Sequence, residues 1–69
     1  MTNQQIEQTK AFKELDKVTQ TIYRKKAMMD EVKRELQIAK EIGVEKYNDV
    51  YNPRPYKLKV IKELIGANL

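Results

Sequence analysis

Asp30, Glu31 and Glu35 fall within six residues of one another in a chain of 69. Clustered carboxylates are the raw material of acid–base catalysis, provided that a partner group shares the work. No such partner accompanies them. The chain has no histidine and no cysteine, which removes His-dependent triads, thiolate chemistry, disulfides and the usual soft metal sites. Its two glycines, Gly43 and Gly66, stand 23 residues apart, so no phosphate-cradling loop exists. The three carboxylates are therefore expected on the solvated face of a helix. The expectation is a protein that is not an enzyme and uses neither metal nor cofactor.

Cations offer a second chemistry. Lys and Arg number 14 against 10 Asp and Glu, a net charge of +4. Arg24-Lys25-Lys26 is the densest basic run, and residues 21–40 hold six basic against three acidic side chains. Nucleic acid would need such a stripe, because neutralising phosphates drives affinity. The competing reading makes Arg24 and Lys26 the solvent-facing flanks of a coiled coil. Ile38-Ala39-x-x-Ile42-Gly43-Val44 resembles the first helix and turn of a helix-turn-helix, with a small residue packing the helices and glycine opening the turn. That motif wants a buried apolar residue six positions after the glycine. Asp49 stands there, and Val50 comes one residue late, a rotation of about 100° on a helix. A DNA-binding transcriptional regulator with a degenerate motif over residues 38–51 is thus the alternative function. It would set Lys46, Asn48 and Arg54 nearest the bases and Arg24, Lys25 and Lys26 on phosphates. Gly43 as a plain helix stop is the simpler account.

A third pattern is aromatic. Tyr47, Tyr51 and Tyr56 are interleaved with Lys46, Arg54, Lys57 and Lys59. Tyrosine and arginine are enriched at interface anchors, and the same mixture could stack on single-stranded bases. Alternatively the rings cover a junction between helices with their hydroxyls in water. The expected contact residues for a partner protein are Tyr51, Arg54, Tyr56, Leu58, Ile61 and Ile65.

These side chains need elements to hold them. Residues 2–42 contain no glycine or proline and are rich in Gln, Glu, Lys, Leu, Ala and Met, so they are expected to form one helix. Thr2 and Gln5 fit a capping box at its start, and Gly43 fits its C-terminal stop. With Leu15 at position a, the heptad puts Leu15, Ile22, Met29 and Leu36 at a, and Ala11, Val18, Val32 and Ala39 at d. Four heptads of this kind suggest a coiled coil. The seam of an expected homodimer is Leu15, Val18, Ile22, Met29, Val32 and Leu36, with Lys25 as a polar interruption. Lysines at e (Lys26, Lys33, Lys40) and glutamates at g (Glu7, Glu14, Glu35) favour parallel pairing. Phe12, Met28, Ile38 and Ile42 lie off the seam and widen the stripe, which suits packing against the C-terminal segment as well.

Beyond Gly43, Val44, Tyr47, Val50 and Tyr51 recur at helical spacing, giving a short helix over 44–51. Pro53 and Pro55 hold Asn52 and Arg54 extended. Pro55 then opens a last helix over 55–65, with Leu58, Ile61, Leu64 and Ile65 on one face. The fold class is all-α: one small domain over 1–69, with a long coiled-coil-type helix over 1–43 and a helical segment over 44–69. A core this small needs a partner to complete it. No apolar run is long enough for a membrane span or a signal peptide, so a cytoplasmic protein is expected. Small lysine- and asparagine-containing chains of this kind are common on phages and other mobile elements. The function expected is a small helical adaptor or regulator that dimerises and binds a larger protein.

Overall fold

A straight helix over residues 2–42 would be about 60 Å long at 1.5 Å per residue. The molecule measures only 31 × 23 × 20 Å. Its structure, a computed structural model that describes residues 2–67, folds that segment into four helices instead of one. The expected domain over 1–69 extends past these bounds at Met1, Asn68 and Leu69, which lie outside the described residues. The elements are α1 (Asn3–Glu7), α2 (Lys10–Lys13), α3 (Lys17–Tyr23), α4 (Lys26–Ile42), α5 (Val44–Tyr51) and α6 (Pro55–Gly66). All are helical, with no strand among the described residues.

The expected single helix is corrected at three points, and each has a local cause. Thr9, Asp16 and Lys25 all adopt extended backbone, with ψ of 148°, 161° and 142°. Thr9 Oγ1 accepts from the Phe12 N–H at 3.2 Å, and Asp16 accepts from the Thr19 N–H at 3.1 Å. Each is therefore the N-cap of the next helix, a position where Thr and Asp are strongly preferred. The preceding helices close with tight last turns, in which the N–H groups of Thr9, Leu15 and Lys25 donate to carbonyls three residues back. Lys25 has no side-chain cap. The expected capping box does form: Thr2 N–H donates to Gln5 Oε1 at 2.8 Å and Gln5 N–H to Thr2 Oγ1 at 3.3 Å.

Segmentation lets the N-terminal arm fold back. Ile6 of α1 and Ala11 and Phe12 of α2 enter one core with Met29, Val32, Leu36 and Ala39 of α4, Tyr47 of α5, and Val60, Ile61 and Leu64 of α6. α6 packs on both α2 and α4. Glu63 fastens the fold-back, its two carboxylate oxygens accepting from the Lys10 and Ala11 N–H groups at 2.8 and 2.7 Å. These are two of the donors that the start of a helix leaves open. The α4 half of the expected seam, Met29, Val32 and Leu36, thus packs inside its own chain.

The C-terminal helices fall where the sequence puts them. Gly43, at φ +92°, is the single residue between α4 and α5, a conformation that side chains disfavour. The expectation that Pro53 holds Asn52 extended is corrected: Asn52 ends α5 in the left-handed region at φ 46°, a conformation that asparagine tolerates. Pro55 is the first residue of α6, and Arg54 before it is extended. The helix-turn-helix resemblance shrinks to the Gly43 corner, because α5 docks through Tyr47 while Asp49 and Val50 are exposed.

Candidate interaction surfaces

Among the described residues, the one charged side chain in the buried class is one the spacing put in water. Glu35 is 8% exposed, so its assignment to a solvated face is corrected. It accepts from the Tyr47 hydroxyl at 2.6 Å and from the Lys57 ammonium at 3.0 Å, and Lys57 also pairs with Glu31 at 3.2 Å. The network joins α4, α5 and α6. A buried charge is tolerable only when paired and hydrogen-bonded in this way. Burial, reinforced by the bond to Glu35, pushes the Tyr47 hydroxyl pKa well above the ordinary tyrosine value. Burial works against the Lys57 ammonium, but its bonds to Glu35 and Glu31 outweigh that and hold its pKa above the usual lysine value. Both Glu35 oxygens are occupied and Tyr47 is fully buried, so this network holds helices together.

A second cluster lies where α3 meets the start of α6. The Tyr23 and Tyr56 rings lie 4.1 Å apart between centroids, and Phe12 is 6.4 Å from Tyr56. The Arg24 guanidinium sits 5.4 Å from the centre of the Phe12 ring and pairs with Glu7 at 2.7 Å. The Tyr56 hydroxyl is buried with no hydrogen-bond partner among the described residues. Burial, with Tyr23 adding to it, pushes its pKa up to about 12.

Apolar exposure is concentrated on α3 and around α5. Val18 is 71% exposed, Val50 65%, Tyr51 47%, Ile22 44% and Ile42 37%. α3 buries none of its residues. Its Val18 and Ile22, four apart, share one face. The end of α3 touches Tyr56, and α5 ends at Tyr51, a few residues before α6 begins. The end of α3 therefore lies beside the start of α6.

The expected site residues divide accordingly. In the seam, Leu15 is half-buried against the core, Val18 and Ile22 face water, and Met29, Val32 and Leu36 are core. Among the partner contacts, Tyr51 and Arg54 are exposed, Tyr56, Leu58 and Ile65 are half-buried against the core, and Ile61 is completely buried. Of the three rings expected to cover a junction, Tyr47 instead enters the core with its hydroxyl bonded, and Tyr51 stacks on it at 5.4 Å. The basic run is largely spent within the chain: Arg24 on Glu7 and Lys26 on Asp30 at 2.7 Å. Lys46 and Asn48 are exposed on α5 beside exposed Glu45 and Asp49. Sequence reasoning missed Val50 and Ile42 as surface residues, the first because it fits the helical period of Val44 and Tyr47.

An open hollow of about 210 Å³ lies between α1 and the end of α6, lined by Gln5, Gln8, Thr9, Glu63, Leu64 and Ala67. No group of three or more acidic, His or Cys side chains among the described residues could hold a metal ion. No described helix is long and apolar enough to cross a membrane. Compared with known proteins, the chain matches no family model, no curated protein and no solved structure.

Proposed function

We propose that the chain is a non-enzymatic helical adaptor or regulator, acting in the cytoplasm, that engages a larger protein through the apolar surface of α3 and the α5–α6 corner. One observation carries this reading. The seven-residue α3, which has no fully buried residue and touches the core through Tyr23, holds Val18 and Ile22 in water. A helix this short has little stability of its own, and exposed apolar surface on a small domain marks an interaction site. Tyr51 and Arg54, at the neighbouring corner, are of the types that anchor interfaces.

A homodimer is the second reading. Its support is that Leu15, Val18 and Ile22 keep the heptad spacing while the rest of the seam is consumed by the core. The DNA-reading alternative has less support, because Glu45 and Asp49 on α5 would face phosphates.

A Val18→Asp, Ile22→Asp double variant tests the site. Circular dichroism should show an intact fold, while the variant fails to capture a partner that co-purifies with the wild type. Sedimentation equilibrium separates the two readings. A wild-type dimer that becomes a monomer in the double variant assigns the stripe to self-association. If partner capture and mass both survive the substitutions, the surface is not the site.

A further inference from the structure

We propose that α2 and α6 form a lysine ledge that binds the phosphate backbone of nucleic acid without reading its sequence. This goes beyond the protein-binding reading and uses a different surface. The ledge begins with the fold-back itself. Glu63 clasps the Lys10 and Ala11 N–H groups, while Phe12 lies beside Tyr56. The chain of α2 therefore passes along α6 from the level of Glu63 towards that of Tyr56.

On α2, Ala11 and Phe12 point into the core and leave Lys10 and Lys13, three apart, on the outer side. On α6, Val60, Ile61 and Leu64 point inward and leave Lys59 and Lys62, also three apart, in water. Lys59 stands one turn before Glu63, next to the flank that α2 covers. Residues three apart on a helix have Cβ atoms about 5–6 Å apart, and packed helices have axes about 8–10 Å apart. Four ammonium groups on flexible stems thus stand over two adjacent helices.

None of the four is neutralised among the described residues. No carboxylate of the described residues lies within ion-pair distance of Lys10, Lys13, Lys59 or Lys62. The acidic group among them, Glu63, has both oxygens occupied by backbone N–H groups. In contrast, Arg24 and Lys26 of the densest basic run are already paired with Glu7 and Asp30. Of the run crowded in sequence, Lys25 alone has no ion pair among the described residues, whereas all four lysines of the ledge have none.

The chemistry of the ledge selects its ligand. Lysine heads are point charges that neutralise phosphates rather than forks that read base edges. A membrane-binding helix would carry apolar side chains to insert beside its lysines. The exposed large apolar residues lie on α3, α5 and the end of α4, not on α2 or α6. A protein interface would be poor in lysine at its centre.

The test is a salt titration of binding to a mixed-sequence DNA duplex, read by fluorescence anisotropy. Four phosphate contacts give a slope of about −3.6 in log K against log salt, or about 100-fold weaker binding between ~50 and ~200 mM. Lys10, Lys13, Lys59 and Lys62 changed together to Gln should flatten that slope to near zero, with an unchanged circular dichroism spectrum and unchanged partner capture. The triple variant Arg24→Gln, Lys25→Gln, Lys26→Gln should keep most of the slope. Three results would overturn the proposal: an unchanged slope in the ledge variant, loss of the slope only in the 24–26 variant, or equal binding to poly-glutamate or anionic vesicles.

Discussion

The α4–α6 half of the molecule and the α1–α3 arm are built from similar residues and end in different states. α4 runs 17 residues without interruption, while the arm breaks into helices of five, four and seven residues. Both carry apolar residues at helical spacing, so amphipathicity is not the difference. In α4 the apolar face is continuous from Met29 to Ala39, and α5 and α6 return to cover it. In the arm, Ile6 and Phe12 reach the same core only if the chain turns between them, whereas Val18 and Ile22 never reach it. Most helical stability in proteins comes from packing an amphipathic face rather than from propensity. A helix therefore stays continuous where one face has one partner, and breaks where successive turns serve different partners.

The largest expected effect lies in the half with the buried network. Tyr47→Ala removes a completely buried ring and one of the donors to Glu35. Large-to-small core substitutions of aromatic residues cost about 3–5 kcal/mol, and urea denaturation should register a loss in that range. A loss below about 1 kcal/mol would mean that α5 is not part of the cooperative unit, and the contrast between the halves would then lie at Gly43 instead.

A smaller effect should appear at alkaline pH. The folded-state pKa values of Tyr47, Tyr56 and Lys57 all lie above their ordinary values. A raised pKa means that the folded state holds its proton more tightly than the unfolded chain. The stability this contributes is complete below about pH 10, where these groups are protonated in both states, and falls as pH rises from there. Urea midpoints should be flat from about pH 8 to 9.5 and decline above it. Tyr47→Phe should make the decline shallower, since one of the three groups no longer titrates. A midpoint that rises above about pH 10 would contradict the sign.

The bounds of α5 and α6 were legible because single residues enforce them: Gly43 at positive φ, the Pro55 restriction that keeps Arg54 extended, and Pro55 at the first helical position. The inward face of α4 was legible too, although its partner was not. A heptad seam records only that Met29, Val32 and Leu36 are buried, and a second chain or the same chain folding back would write the same pattern. The breaks at Thr9 and Asp16 did leave a signal, since both are strong N-cap residues. It was outweighed by a run of good helix formers, because propensity is a weak prior against tertiary packing. Glu35 left none. A carboxylate among charged neighbours on a helix becomes a core residue only when Tyr47 and Lys57, 12 and 22 residues away, arrive beside it.

The finest distinction lies within the arm, between the side-chain caps at its two internal breaks. Thr9 is 6% exposed. Its hydroxyl accepts from the Phe12 N–H and donates to the Ile6 carbonyl at 2.8 Å. Thr9→Ala would leave the buried Phe12 N–H without its partner, at about 2 kcal/mol of global stability. Asp16 makes the same kind of cap in full exposure, at the start of a helix with no fully buried residue. Such a helix can open locally at little cost, so Asp16→Ala should lower global stability by less than about 0.5 kcal/mol. Its effect should appear in amide hydrogen exchange, as faster exchange confined to residues 19–24. If the two substitutions destabilise the protein equally, α3 is as firmly docked as α2, and the reading of α3 as a surface held for a partner fails with it.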